Sequence, residues 1–169
     1  HHSNSKSFFA VFPHHRIHPF FLQLAAYHLY EQCVLPEGNF CDRVPEDAVT
    51  NAFLAEAEPY LAEYWQASSP EEQQLLRLLA MDPSQMDVRL YPALDQLARR
   101  ALVVRDQQAP YGWRLFTTAF GPWIEERELG AWYDRAMAYW AVGDLWGAKA
   151  QLSRIRAQRA GYRDVTLVW

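Results

Sequence analysis

The sequence has little of several features that would assign it to a common functional class. It contains only two cysteines, Cys33 and Cys41, in 169 residues. A hydrophobic chain with so few cysteines does not need disulfides to fold, so we expect free thiols in a reducing cytoplasm, with one short-loop disulfide as the alternative. No apolar run reaches the roughly 18 to 20 residues that cross a bilayer. The sequence therefore predicts a cytoplasmic protein with no membrane span.

Motifs for phosphate and metal chemistry are also missing. The chain has no G-x-x-x-x-G-K-[ST] loop to cradle phosphates and no acidic strand end to hold magnesium. Prolines at positions 13 and 19 interrupt any helix that would align the histidines near the start of the chain as metal ligands. We therefore predict no catalytic residue, no metal site and no cofactor bound by this chain alone. Those histidines are His14, His15, His18 and His28.

The hydrophobic and charged residues indicate what kind of protein this is. Half of the residues are hydrophobic and 15% are aromatic, which predicts a well-packed core and excludes a disordered chain. The net charge is only −4, but ten acidic residues stand against Arg43 alone between Glu31 and Glu72. The basic residues cluster near the other end, between Lys149 and Asp164. This asymmetry is typical of a solvated helix face or of an acidic-to-basic contact in a larger protein, and nucleic-acid binding is the alternative.

The sequence divides into a short N-terminal segment and three structural parts. Residues 1–13 are interpreted as a purification-tag remnant and linker, because the chain opens on two histidines followed by small polar residues. Residues 14–67 are predicted to be helical throughout, with one helix from Pro19 and a second from about Pro45. Pro59 is expected to kink or split the second helix.

The second part, residues 68–121, is predicted to be a winged-helix domain with a small two-stranded wing. Residues 69–72, Ser-Pro-Glu-Glu, are typical of a helix start, and the helix after them is expected to bury four leucines. A second helix over residues 93–100 precedes an apolar strand at 102–104 and a returning strand at 113–116. The four leucines are Leu75, Leu76, Leu78 and Leu79.

The third part, residues 122–169, is predicted to be a tetratricopeptide-like (TPR-like) helical hairpin that breaks at Gly143. Small residues at Ala136 and Ala148 allow two helices to cross closely, and aromatic residues with their spacing fill the space beside the crossing. One such unit relies on neighbouring repeats to bury its face, so we expect the chain to be a fragment of a longer protein. The aromatic residues predicted to serve packing or a partner are Trp123, Trp132, Tyr139 and Trp146, and Trp140 is expected on the same face.

The order of these parts resembles the region just downstream of the nucleotide-binding core in bacterial signal-transduction ATPases of the STAND class, which are related to AAA+ ATPases. The resemblance covers nearly the whole chain, and its signal is the order of mostly apolar motifs. The motif that begins the lid contains His18 and Pro19. The matching stretches are residues 16–24, 64–65, 75–80, 94–105, 114–116 and 120–124.

The resemblance implies a non-catalytic regulatory and interaction module of a multidomain ATPase. The helical lid would lie against ATP or ADP held by an upstream P-loop core, with Pro19 near the adenine and His18 sensing phosphate or capping the helix start. The winged helix would transmit the nucleotide state to downstream repeats, which would recognise an unidentified protein partner. The resting form would have the lid and winged helix packed on the ADP-bound core, and ATP would release them.

Two other functions remain open at this point. A DNA-binding winged helix would use arginines of its second helix and wing, here Arg99, Arg100 and Arg105, to contact bases and phosphates. Asp95 opposes those arginines and no lysine occurs between residues 71 and 121, so such a module would bind DNA weakly. The same arginines would otherwise make intramolecular contacts. The third possibility is a plain helical adaptor for protein–protein interaction.

Overall fold

The computed structural model describes residues 19–34, 41, 44–117 and 119–164. Within these ranges the chain contains six α-helices and one two-stranded antiparallel sheet, so the predicted mainly helical fold with a small sheet is confirmed. The described residues form two compact units, with the boundary between Trp123 and Ile124. Each helix in the described ranges is too short or too polar to cross a membrane.

Two helices, α1 (Pro19–Cys33) and α2 (Glu46–Gln66), pack against each other in the first unit. On α2 every fourth residue from Val49 to Trp65 is buried, which makes one continuous apolar stripe along the helix. On α1 the side chains of Phe21, Leu24 and Ala25 are buried. The acidic residues Glu46 and Asp47 lie in the first turn of α2, where they complement the positive end of the helix dipole.

The expected break at Pro59 does not occur, because α2 runs unbroken through this residue. A proline inside a helix removes one backbone hydrogen bond and leaves the carbonyl four residues earlier without its partner. Pro59 and Ala55 both lie on the exposed face of α2, so water can hydrate that carbonyl. The helix is therefore not split at Pro59, and that part of the prediction was wrong.

The next segment contains two helices followed by a β-hairpin. Helix α3 spans Pro70–Met81 and α4 spans Tyr91–Arg99, with two short 3₁₀ turns between them. Strand β1 (Val103–Arg105) pairs antiparallel with β2 (Trp113–Leu115), and Val104 lies opposite Arg114. Of the four leucines expected to be buried on α3, only Leu75 and Leu76 are fully buried. The other two are half-buried.

Phe116 lies at the centre of an aromatic cluster that joins this segment to α1 and α2. Its backbone N–H donates to the carbonyl of Leu102 at 3.0 Å, directly after β2. Its ring centroid lies 5.3 Å from that of Phe21 and 5.5 Å from that of Phe120, and Tyr64 is 6.2 Å away. These tilted and edge-to-face arrangements are the favoured geometries of aromatic pairs. One side chain therefore connects two helices and the start of the next.

The last two helices, α5 (Phe120–Ala141) and α6 (Leu145–Gln158), form an antiparallel hairpin over residues 124–158. Three cross-helix contacts define its register: Tyr139 approaches Gly147, Trp132 lies against Arg154, and Glu125 pairs with Arg159. The turn uses Gly143 at a φ of 79°, a left-handed conformation that favours glycine. The Asp144 carboxylate then accepts a hydrogen bond from the Gly147 N–H at 2.8 Å and caps α6.

Close packing of this hairpin depends on small residues at the crossing. Ala136 and Ala148 are both fully buried. A Cβ atom added at Gly147 would lie 2.9 Å from the Cγ atom of Tyr139, closer than real side chains approach. The two backbones can therefore come together only where the sequence carries glycine or alanine.

Candidate functional site

Helix α4, which would enter the major groove in the alternative DNA-binding function, presents a nearly neutral surface. Its exposed side chains include Tyr91, Asp95, Gln96 and Arg99. The charges of Asp95 and Arg99 cancel, so this face offers little net attraction for phosphates. Its apolar side is buried through Leu94 and Leu97.

The Arg100 side chain is engaged in contacts within the protein. Its Nη1 atom lies 3.0 Å from Oε2 of Glu72, whose side chain is only 10% exposed. The same guanidinium donates to Ser68 Oγ at 3.4 Å and to the Tyr64 carbonyl at 3.5 Å. Three acceptors on α2, α3 and the loop between them therefore hold Arg100, and a phosphate would have to displace them.

Glu72 is the buried residue that the sequence analysis missed. Its carboxylate accepts a hydrogen bond from the Ser69 N–H at 2.8 Å, and the Ser69 hydroxyl accepts one from the Glu72 N–H at 3.2 Å. This reciprocal capping box starts α3. The spacing Ser-x-x-Glu in the sequence was the available signal for the cap, but nothing local indicated that Arg100, 28 residues away, would pair with the same carboxylate.

The two arginines of the β-hairpin differ in how accessible their side chains are to a ligand. Arg114 forms an ion pair with Asp106 at 2.8 Å, and both side chains are partly buried. Arg105 is exposed and its guanidinium lies 5.0 Å from the ring centroid of Trp113 across the strand pair. A cation held over an indole ring gains electrostatic attraction and loses some conformational freedom. Arg105 is therefore the more accessible cation of this hairpin.

A small cleft of about 290 Å³ lies between α3 and the β-hairpin. Its walls are mainly apolar, and the Arg114–Asp106 ion pair contributes the charged part. Such a volume is at the lower limit of pockets that hold small molecules. The other lining residues include Leu79, Pro83, Trp113, Leu115 and Thr117.

The most exposed apolar surface of the second unit lies at the tip of the α5–α6 hairpin. Trp146 is 83% exposed and Val142 is 79% exposed, far more than their size and chemistry favour. The register of the hairpin sets Trp140, which is 52% exposed, at the level of Trp146 on the opposite helix. Trp140 was expected to share the face of Trp132, but Trp132 is buried and Trp140 is not. We call this the hairpin-tip surface, and it consists of Met137, Trp140, Val142, Leu145 and Trp146.

The basic residues near the end of the chain are used largely in contacts within the hairpin. The Arg154 guanidinium lies 3.9 Å from the ring centroid of Trp132. Arg159 pairs with Glu125 at 2.9 Å and with Glu126 at 2.8 Å. The hydrogen bond to Glu125 is the main cause that raises the pKa of Arg159 above its ordinary value. These basic side chains therefore contact acidic and aromatic side chains of the same hairpin.

Tyr162 closes the open end of the hairpin. Its hydroxyl donates to Oε1 of Glu126 at 2.7 Å, and its side chain is buried. Burial is the main cause that raises the pKa of Tyr162, and the hydrogen bond to Glu126 raises it further. A short 3₁₀ turn at Tyr162–Asp164 holds the residue there.

Of the remaining residues predicted to function, the structure describes Pro19 and Trp123. Pro19 is the exposed first residue of α1, while His18 lies outside the described residues, as do His14 and His15. Trp123 lies against Trp65 at 6.2 Å and against Phe120 at 5.8 Å. In the described part of the chain, no three His, Cys, Asp or Glu side chains converge as a metal ion would require.

Comparison with known proteins adds no family to these observations. No protein-family model, curated protein sequence or solved structure matches this chain.

Proposed function

We propose that this chain is a non-catalytic coupling and interaction module of a multidomain signal-transduction ATPase. Helices α1 and α2 would be its lid, α3 to β2 its winged helix, and α5 and α6 its first TPR-like hairpin. The observation that carries the proposal is the hairpin-tip surface. Exposed tryptophans grouped at one turn are costly in water and are typical of protein-binding surfaces.

The geometry of the middle segment supports its assignment as a winged helix. Two helices are followed by an antiparallel strand pair, in the order that this module requires. The hairpin supports the repeat assignment through the burial of Trp132, Ala136 and Ala148 and the close approach of Gly147 to Tyr139. Both assignments rest on element order and packing together with the resemblance of the sequence.

Coupling to nucleotide requires a surface that an upstream core can cover. Helix α1 begins at the exposed Pro19 and carries the exposed apolar residues Leu22 and Tyr27. We propose that an upstream P-loop core, which would bind ATP or ADP, covers this side of α1 in the resting state. Replacement of ADP by ATP would weaken that interface and free the downstream repeats for a partner.

Hydrogen exchange in the intact ATPase tests this coupling. Amides of α1 are expected to exchange more slowly with ADP bound than with a non-hydrolysable ATP analogue, because the core covers α1 only in the resting state. Equal exchange of α1 in the two states would contradict nucleotide coupling and favour the plain helical adaptor.

Replacing Trp146 with serine is expected to leave folding nearly unchanged while removing part of the binding surface. The side chain is 83% exposed, so the free energy of unfolding should change by no more than about 0.5 kcal/mol. Binding of an apolar dye such as bis-ANS to the folded protein should decrease, as measured by fluorescence titration. Trp132→Ser, in which a buried tryptophan is lost, is the contrasting control and should strongly destabilise the hairpin. A large loss of stability in Trp146→Ser would indicate a structural residue instead of a binding one.

DNA binding is the second candidate function, favoured by the exposed Arg89, Arg99 and Arg105 around α4 and the β-hairpin. Asp87 lies 3.9 Å from Arg89, and Asp95 offsets Arg99. With Arg100 and Arg114 engaged internally, few cations remain to neutralise phosphates. The expected affinity for duplex DNA is therefore very low.

Fluorescence anisotropy with a mixed-sequence duplex separates the two candidates. At about 50 mM salt we expect a Kd weaker than about 100 μM, and no measurable binding at about 200 mM. Tight binding that weakens steeply with salt and is lost in Arg99→Ala/Arg105→Ala would instead establish the DNA-binding function. Arg135→Ala, on the exposed surface of α5, is the charge-matched control.

A further inference from the structure

The end of α1 brings together the two cysteines of the sequence. Cys33 is the last residue of α1 and is 3% exposed, while Cys41 is half-buried. Both are free thiols. The backbone N–H of Cys41 donates to the carbonyl of Cys33, with an N···O distance of 2.7 Å.

This hydrogen bond limits the separation of the two Cα atoms. A carbonyl oxygen lies about 2.4 Å from its own Cα atom and an amide nitrogen about 1.5 Å from its own. With 2.7 Å between oxygen and nitrogen, the two Cα atoms cannot be more than about 6.6 Å apart. Disulfides join Cα atoms that are about 4.4 to 6.8 Å apart, so the separation of these two Cα atoms does not exceed the reach of a disulfide.

The side chains also influence each other. The Cys41 thiol is near enough to that of Cys33 to act on its protonation, chiefly as a hydrogen-bond partner. That hydrogen bond, with burial as the second cause, raises the pKa of the Cys33 thiol to about 11. At neutral pH Cys33 is therefore protonated, and the pair is stable as two thiols until an oxidant acts on it.

We propose that Cys33 and Cys41 form a reversible disulfide site, oxidised by a small dialkyl disulfide of the glutathione type. This inference is independent of the proposed coupling function. It assigns a chemical modification to the end of α1, where a covalent bond would fix the last turn of the helix to the chain at residue 41.

The reaction proceeds by two thiol–disulfide exchanges. The more accessible Cys41 thiolate attacks one sulfur of oxidised glutathione, the S–S bond breaks, and one glutathione leaves as a thiolate that takes up a proton. The Cys33 thiolate then attacks Sγ of the mixed disulfide at Cys41 and releases the second glutathione. Two protein thiols are oxidised, one disulfide is reduced, and two molecules of reduced glutathione form.

Oxidation of the folded chain with oxidised glutathione tests the site. At about pH 9, where the thiolate fraction is larger, we expect a monomer that has lost two hydrogen atoms, carries no glutathione and contains a Cys33–Cys41 crosslink after proteolysis. Cys33→Ser and Cys41→Ser each lack one partner, so neither can form the intramolecular bond. Circular dichroism of the two variants verifies that they remain folded. Stable glutathionylation of the wild-type chain, or disulfide-linked dimers, would overturn the proposal.

The effect of the bond on stability provides a second, independent readout. The bond closes a loop of nine residues, counted from position 33 to position 41. Closing a loop of this size is expected to raise Tm by about 5–10 °C, and a reducing agent should reverse the increase. The equilibrium constant for closure should be one to two orders of magnitude (~10- to 100-fold) larger in the folded chain than in urea. An equal or smaller constant in the folded chain would mean that the native structure does not position the thiols.

Discussion

Replacing Phe116 with alanine is expected to lower the free energy of unfolding by about 3–5 kcal/mol, the usual cost of deleting a buried phenyl ring. The side chain is only 4% exposed and contacts aromatic rings on α1, α2 and the start of α5. The cavity cannot collapse easily, because the rings of Phe21, Tyr64 and Phe120 belong to three different helices. Urea denaturation followed by far-ultraviolet circular dichroism measures the loss.

Two further substitutions serve as controls for Phe116→Ala. Phe116→Leu keeps most of the apolar volume and should cost less than about 1.5 kcal/mol. Tyr91→Ala removes an aromatic ring that is 52% exposed, so it should change stability by less than about 0.5 kcal/mol. A loss below about 1 kcal/mol for Phe116→Ala would show that the aromatic cluster contributes little to holding the first unit together.

The second large effect is expected at Glu72, where one carboxylate both caps α3 and pairs with Arg100. Glu72→Ala removes the acceptor for the Ser69 N–H and leaves the Arg100 guanidinium, 32% exposed, without its main partner. A lost cap costs about 1 kcal/mol, and breaking a fully buried ion pair costs about 3–5 kcal/mol. Because solvent reaches part of Arg100, we expect a total loss of about 2–4 kcal/mol.

The two roles of Glu72 can be separated by substitution. Glu72→Gln retains an oxygen for the Ser69 N–H but lacks the charge, so it should lose less stability than Glu72→Ala. The neighbouring exposed residue provides the control Glu71→Ala, for which a much smaller change is expected. In a double-mutant cycle, Glu72→Ala/Arg100→Ala should lose less than the sum of the single variants. Strict additivity would be inconsistent with an energetic coupling between the two side chains.

The pairing of Glu72 with Arg100 also explains which parts of the molecule were predictable. Local signals were sufficient to predict the start of α3, where Ser69, Pro70 and Glu72 form a recognisable cap, and the β-branched strand around Val103. They also predicted the burial of the small residues Ala136 and Ala148, which follows from helical spacing. Each of these features depends on residues within about one or two helical turns.

Features that depend on distant residues were not predictable in the same way. Arg100 follows an amphipathic helix and carries no local sign that Glu72 lies beside it. Trp140 follows the spacing of a core residue but is 52% exposed near the end of α5. Pro59 predicts a broken helix unless its face is known to be exposed. In all three cases the decisive fact is which surface meets water, and that is set by tertiary packing.

The arrangement of tryptophans in the α5–α6 hairpin has an optical consequence. Trp132 is buried beneath the guanidinium of Arg154, whereas Trp146 faces water almost completely. A soluble quencher such as acrylamide should therefore reach Trp146 long before it reaches Trp132. Any molecule that settles on the hairpin tip would shield Trp146 and shift its emission to shorter wavelengths. The hairpin thus contains its own fluorescent reporter of occupancy, with no label attached.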